Sequence, residues 1–307
     1  MRRAGFAAGL LAVVLGAAAY AAAAEPDRRP LPRSPEISVL KAADAERPPL
    51  LFAQQLTDGP ATVSAVAAAE AEKPPLVPGP RAVDMPILVY HHVVPGRNGV
   101  LFVTPETFED QLKFLKENGF QSISFDDLAD YLQYGLPLPE RPVILSFDDG
   151  WENQYVNAFP LLQKYGFTAT FYVVTGYLDH QNFMTVAELK TMIAAGMTIG
   201  CHSRTHPALT GLGSAGLQNE IAGSKAWLEQ QLGVAVTTFA YPYGAYNATV
   251  VAATKAAGFR TARTVDDGYH YTVDNLEALD AVIYQHFAHD YRDKIQVAAG
   301  SPSTTQR

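Results

Sequence analysis

Two short runs far apart in the chain hold the side chains best suited to chemistry: Ser146-Phe147-Asp148-Asp149-Gly150 and His202-Ser203-Arg204-Thr205-His206. Adjacent carboxylates and two histidines spaced i, i+4 are the parts of a mononuclear metal site with a separate base. Hydrolytic zinc sites use three protein N/O ligands and keep one position open for water. A free carboxylate beside that water can take its proton. Neighbouring residues on a strand point to opposite faces. A glycine after the pair breaks the strand, so both carboxylates can reach one place, one to bind and one to stay free. The histidine spacing converges on one helix face; Pro207 favours a turn instead, which also converges. In a third run, Phe239-Ala240-Tyr241-Pro242-Tyr243-Gly244, the fixed φ of Pro242 and the freedom of Gly244 present the Tyr243 backbone N–H. Such a donor can stabilise a developing oxyanion. Singly, these runs read as a helix N-cap, a pair of loop histidines and a turn. Together they read as a metal site.

Each of the first two runs follows an apolar β-like stretch, Val143-Ile144-Leu145 or Met197-Thr198-Ile199. They therefore sit at the C-terminal ends of strands, where barrel enzymes gather their catalytic groups. From Met85 onward strand-like and helical patterns alternate. Strands are expected over 86–90, 120–124, 143–148, 168–174, 197–201, 236–241, 259–262 and 281–284. Thr104 reads as an N-cap before Pro105, with Phe108, Leu112 and Leu115 on one helical face. Further helices are expected over 126–134, 154–165, 185–195, 217–232 and 248–257, the third opened by a Thr185-x-x-Glu188 capping pattern. Seven or eight βα units imply an α/β fold with a parallel sheet closed towards a barrel. Cys201 is the one cysteine, so no intrachain disulfide forms. It adjoins His202, but strand alternation turns it away, and it is expected to be a buried small apolar residue.

The 307 residues carry a net charge of −8, which argues against a nucleic-acid partner. Met1-Arg2-Arg3 followed by an Ala/Leu/Val-rich run to Ala24 has the pattern of a signal peptide with a small-residue cleavage site. The alternative is a single-span anchor, which would tether the protein to the membrane. Either way the rest of the chain is expected to be exported, periplasmic or secreted. Residues 25–84, rich in Pro and Ala, read as a disordered linker, 85–298 as the catalytic domain and 299–307 as a flexible tail.

With these motifs in order, the stretch from about 85 to 290 resembles the polysaccharide deacetylase family with the NodB homology domain, carbohydrate esterase family 4. Ser-Phe-Asp-Asp-Gly is similar to the family's first motif, His-Ser-x-x-His to its second and Pro-Tyr-Gly to its third. The resemblance implies a distorted (β/α)7 TIM-like barrel and metal-dependent removal of N-acetyl groups from a GlcNAc-containing polysaccharide of the poly-GlcNAc or peptidoglycan type. It implies that Asp148 is the general base, that Asp149, His202 and His206 bind a divalent ion (zinc first, cobalt or nickel as alternatives), and that Tyr243 supplies the oxyanion N–H. Leu88-Val89-Tyr90-His91-His92-Val93 and Val103-Thr104-Pro105-Glu106-Thr107-Phe108 are similar to the biofilm poly-N-acetylglucosamine deacetylases. That likeness assigns His91 as general acid, ahead of His286 in the partial late motif Ile283-Tyr284-Gln285-His286, with His92 third. Many members carry an arginine in the third motif that orients the catalytic aspartate. Ala240 stands there, leaving Arg204, Arg260 and Arg263 as substitutes. Trp151, Tyr177, Phe183, Tyr246, Tyr269 and Tyr271 lie in expected loops; Trp151, beside Asp149-Gly150, is the best placed to stack on a sugar ring. The rival readings are a hydrolase of another amide on the same barrel and a non-catalytic glycan-binding domain.

Overall fold

The computed structural model describes residues 81–283 and Ile295. The leader 1–24, almost all of the stretch 25–84, His286 and the tail 299–307 lie outside the described residues.

In chain order the elements begin with β1 (Ala82–Asp84), β2 (Ile87–Tyr90), β3 (His92–Val93), β4 (Phe102–Val103), α1 (Pro105–Glu117), β5 (Gln121–Ser122) and α2 (Phe125–Tyr134). There follow β6 (Pro142–Phe147), a π turn (Gln154–Ala158) running into α3 (Phe159–Tyr165), β7 (Thr170–Val173), α4 (Val186–Ala194) and β8 (Thr198–Cys201). Next come α5 (Ser214–Leu217), a second π turn (Gln218–Gly223), α6 (Ser224–Leu232), β9 (Thr238–Ala240), α7 (Ala248–Ala256), β10 (Thr261–Arg263), β11 (His270–Thr272) and β12 (Val282–Ile283).

The main sheet runs β10-β9-β8-β7-β6-β2-β12, every pair parallel, with β5 on the start of β6. Its edges meet through the strip leading into β12. Leu279 exchanges backbone hydrogen bonds of 2.9 Å with Thr264 N and Ala262 O beside β10, while Val282 and Ile283 pair with Leu88 and Val89 of β2. The parallel strands thus curl into the expected distorted barrel.

Alternation along the strands divides the core in two. Leu88, Tyr90, Leu145, Phe147, Phe171, Val173, Ile199, Cys201 and Phe239 pack under the helices, against residues such as Leu112, Leu162, Leu189 and Leu228. Ile87, Val89, Ile144, Tyr172 and Ala240 form the other cluster, inside the barrel. Cys201 is buried on the helix side with its thiol against Ser224 Oγ, 3.0 Å, as alternation required. A Cβ on Gly200 would come within 2.4 Å of the Tyr172 ring, so the barrel interior admits that tyrosine only across a bare backbone.

Thr104 caps α1 and Thr185 forms a capping box on α4, as expected, whereas Ser124, expected to end a strand, forms the capping box on α2; Gly135, Gly166 and Gly233 end helices in the left-handed conformation. The differences are informative. Ala82–Asp84, assigned to a disordered linker ending at 84, is instead a strand paired antiparallel with His270–Thr272. Three residues with one half-buried apolar side chain carry no periodicity to read. The expected continuous helices over 154–165 and 217–232 are each interrupted by a π turn. Pro160, which has no N–H to give a preceding carbonyl, follows the first of them.

Candidate metal centre and catalytic site

The inward-facing positions at the C-terminal ends of β2, β6, β8 and β10 bring His91, Asp148, His202 and Arg263 to one end of the barrel. Asp149 and His206 join them from the loops that follow β6 and β8. Those loops and the one after β9 are strained: Asp149 (φ 76°), Ser203 (66°), His206 (60°) and Tyr243 (60°) are left-handed, four of the six such non-glycine residues among those described. Positive φ is uncommon outside glycine, and such strain persists where the surroundings over-determine it. The His202–His206 segment is therefore a turn rather than a helix.

Asp149 Oδ1 lies 3.6 Å from His202 Nε2 and 3.5 Å from His206 Nε2, and the two Nε2 atoms are 3.1 Å apart. Tetrahedral zinc with bonds of about 2.0–2.1 Å spaces its donors by about 3.3 Å. The triangle therefore fits a divalent ion, and Asp149, His202 and His206 are the residues placed to hold it. The tautomer fits as well: His202 Nδ1 donates to Ala240 O at 2.7 Å, which leaves Nε2 as a bare lone pair facing the other two donors. Burial first, then the neighbouring His206, holds the His202 imidazole down at about 4, so it is neutral and ready to ligate. Burial would push the Asp149 carboxyl up, but His91, His206, His202 and the Trp151 N–H outweigh it and hold it at about 2.

Each aspartate has one oxygen tied and one presented. Trp151 Nε1 donates to Asp149 Oδ2 at 3.0 Å, leaving Oδ1 towards the histidines. Arg263 Nη2 binds Asp148 Oδ1, leaving Oδ2 facing His91 Nε2 at 3.8 Å. Burial again opposes ionisation of Asp148, and Arg263, followed by His202 and His91, holds its carboxyl below the usual range. Arg263 thus supplies the guanidinium missing from position 240. It is the register partner of Ala240 across the β9–β10 ladder, and the small side chain of Ala240 leaves the interior open to it. Arg260 instead pairs with Asp126 and Asp130 on α2, and Arg204 bonds Asn219, so neither of these substitutes reaches Asp148.

The backbone around the pair is fixed by a residue that sequence reasoning missed. Gln154, fully buried in the first π turn, donates from Nε2 to both Asp148 O (2.5 Å) and His91 O (2.7 Å), joining β6 to β2. A lone glutamine in an amphipathic helix gives no sign of this. His91 stands over Asp148, its side chain 14% exposed. His92 points elsewhere: its ring stacks on Phe102 (4.6 Å) and lies tilted against Trp151 (4.4 Å), and its Nδ1 accepts from Asn153 Nδ2 at 3.0 Å. Burial, then His91, holds the His92 imidazole at about 4. It is a packed neutral histidine, not an acid.

Tyr243 follows β9 in a left-handed turn, and its ring sits edge-on to His206 at 4.6 Å, which brings this segment beside the triangle. Trp151, expected in an open loop, has two ring neighbours: His92 lies tilted against the indole at 4.4 Å and Phe183 stacks on it at 4.4 Å, while its Nε1 holds Asp149 Oδ2. Tyr271 is buried in β11, whereas Tyr246 and Tyr269 keep about 40% of their surface exposed (39% and 40%).

Comparison with known proteins agrees with this geometry. A family model described as polysaccharide deacetylase matches residues 135–262, a stretch holding Asp148, Asp149, His202, His206 and Tyr243 but ending one residue before Arg263. The Bacillus subtilis protein YxkH, named for a polysaccharide deacetylase, is 30% identical over 198 residues, covering 64% of this chain and 70% of its own. The poly-beta-1,6-N-acetyl-D-glucosamine N-deacetylase of Staphylococcus aureus is 29% identical over 172 residues, 52% of this chain and 59% of that protein. The Streptococcus pyogenes deacetylase PplD, solved in complex with acetate, superposes with a TM-score of 0.66 at 26% identity, covering 71% of this chain and all (100%) of that one. The shared barrel and the shared motifs, at this identity over most of a relative's length, place the chain in the polysaccharide deacetylase family with the NodB homology domain.

Proposed function

We propose that this protein is a metal-dependent hydrolase that removes N-acetyl groups from a GlcNAc-containing polysaccharide of the poly-GlcNAc or peptidoglycan type. The observation that carries the reading is the meeting of two differently prepared carboxylates at one point. Asp149 offers its free oxygen to the two histidines, and Asp148, held ionised by Arg263, keeps its own free oxygen beside His91. A divalent ion held by Asp149, His202 and His206, zinc by its donor set, supplies when bound an acidified water and a Lewis acid for the acetyl carbonyl.

Around that ion the chain's own groups divide the work. Asp148 Oδ2 takes the proton from the attacking water. The Tyr243 N–H, in its strained turn, donates to the developing oxyanion. His91, across from Asp148 Oδ2, gives its Nε2 proton to the departing amine, which leaves as glucosamine while acetate is released. The buried Arg263 keeps Asp148 in the form that can accept a proton at neutral pH.

The test is acetate release across chitooligosaccharides, poly-GlcNAc and peptidoglycan, with the metal-stripped protein as control. Release restored by adding back zinc supports the reading. No release from any acetylated glycan by fully metal-loaded protein refutes it and leaves the glycan-binding alternative. Read as an export signal, the leader would put this activity outside the cytoplasm; N-terminal sequencing of protein recovered from the exported fraction distinguishes a cleaved signal from a retained membrane tether.

A further inference from the structure

The loop between His202 and His206 has to reverse sharply while holding two imidazoles on one point. Much of its backbone is held by hydrogen bonds. Ser203 O accepts from Thr175 N (3.2 Å) and Arg204 O from Gly176 N (2.8 Å), on the rim of β7. A Cβ at position 176 would lie 2.7 Å from Arg204 O, so the loop presses on bare backbone there. His206 N donates to Ser203 Oγ at 2.9 Å. The amides of Arg204 and Thr205 both donate to Glu220 Oε2, at 2.9 and 2.8 Å, and the Thr205 hydroxyl donates to Glu220 Oε1 at 2.8 Å.

Glu220 is only 6% exposed, and it sits in the second π turn, Gln218–Gly223. The turn is itself anchored. Ser224 Oγ donates to Glu220 O (2.6 Å) and Ile221 O (2.8 Å) and meets Cys201 Sγ at 3.0 Å, directly before His202. The wide turn thus fixes both the end of β8 and the loop after it. The first π turn does the same on the other side of the site, where buried Gln154 holds the carbonyls of Asp148 and His91. Buried charged acceptors form the stronger hydrogen bonds, and π turns recur at functional sites.

We propose that Glu220 is a positioning residue for the metal site, acting through the 203–205 backbone to hold His202 and His206 at ligating distance and so setting how tightly the ion binds. The proposal rests on the metal-site reading above. Outer-shell partners of metal ligands typically change affinity by about 10–100-fold. Glu220→Ala removes all three hydrogen bonds, so its zinc dissociation constant, measured by competition with a chromophoric chelator, is expected to rise by about 10–100-fold. Glu220→Gln keeps one oxygen for the two amides and is expected to show a smaller rise. The visible spectrum of the cobalt-loaded protein is expected to change in Glu220→Ala, because the imidazoles no longer sit where the loop held them.

A merely structural role would lower the unfolding temperature of the metal-free protein yet leave the dissociation constant and cobalt spectrum of the folded variant as in the wild type. That result overturns the proposal, and where Glu220→Ala does not fold, Glu220→Gln and Thr205→Val decide by the same two readouts. Wild-type protein that binds neither zinc nor cobalt would instead refute the metal site itself, so the two failures are distinct.

Discussion

Replacing Arg263 by methionine tests the electrostatics of the site most sharply, because the guanidinium is buried, does its work from an unexpected strand and touches no ligand atom. Arg263 is 1% exposed and Asp148 3%; the guanidinium also donates to Thr264 O at 2.9 Å and stands 5.1 Å over the Tyr172 ring. At an effective dielectric of about 20, unit charges about 4 Å apart attract by about 4 kcal/mol. Removing one partner of a buried pair costs about 3–5 kcal/mol, because the other charge is left without compensation. Arg263→Met is therefore expected to lose about 3–5 kcal/mol in urea unfolding at neutral pH. The sign of the pH effect follows from the same pair. Asp148 is depressed in the fold, so its contribution to stability is complete above the ordinary carboxylate range and is lost as pH falls through its folded value. Without Arg263, burial prevails and the carboxyl rises. The acid limb of kcat/KM for acetate release, which reports ionisation of the base, then moves to higher pH. Comparing zinc-loaded proteins on both sides keeps the ion's own field constant. Arg263→Lys keeps a charge but not the two-pronged reach to Asp148 and Thr264 O, and falls between. Since Ala240 and Arg263 are register partners, Ala240→Arg combined with Arg263→Ala is expected to move the limb back towards wild type. Arg263→Met with stability within about 1 kcal/mol of wild type and an unmoved acid limb would refute the reasoning.

Separate losses are expected from the two aspartates: Asp149→Asn, His202→Ala and His206→Ala lose bound metal and activity together, whereas Asp148→Asn keeps metal by elemental analysis and loses turnover by at least about 100-fold. His91→Asn is expected to lower kcat by about 10²–10⁴-fold with metal retained, and His286→Asn to do much less; the reverse order would move the acid to the late motif. In the metal-free protein, His92 is held neutral in its stack, so stability is fully present above pH 6.5 and falls as pH drops towards 4, by up to roughly 3 kcal/mol. His92→Phe keeps the stack with Phe102 and Trp151 and flattens that part of the profile, read by urea unfolding at a series of pH values.

Much of the fold was legible because its signals are local. Apolar runs of strand length, Thr104 and Thr185 at helix starts and glycines at helix ends each act within a few residues, so the order of βα units could be read directly. Strand alternation alone turns Cys201 away from the site. The paired carboxylates and the spaced histidines were legible for the same reason: their residue types are rare in buried strand ends unless chemistry keeps them there.

What composition and period could not carry was settled by register between strands and by the geometry of irregular turns. Arg263 became the partner of Asp148 because β9 and β10 pair Ala240 against it, a relation between strands that no single segment encodes. Trp151 packs against His92 and Phe183, each from another segment, contacts that its place beside Asp149 does not foretell. Gln154 and Glu220 look like ordinary helix residues until a π turn aims them at the loops of the site. The three-residue strand Ala82–Asp84 exists only because His270–Thr272 lies beside it. The sequence by itself determined which groups are capable of chemistry and roughly where each element begins, since those depend on short-range sterics and hydrophobic period. Tertiary structure alone decided which oxygen of each aspartate is free, which arginine pairs with Asp148 and what holds the histidine loop, because these depend on side chains brought together from distant parts of the chain.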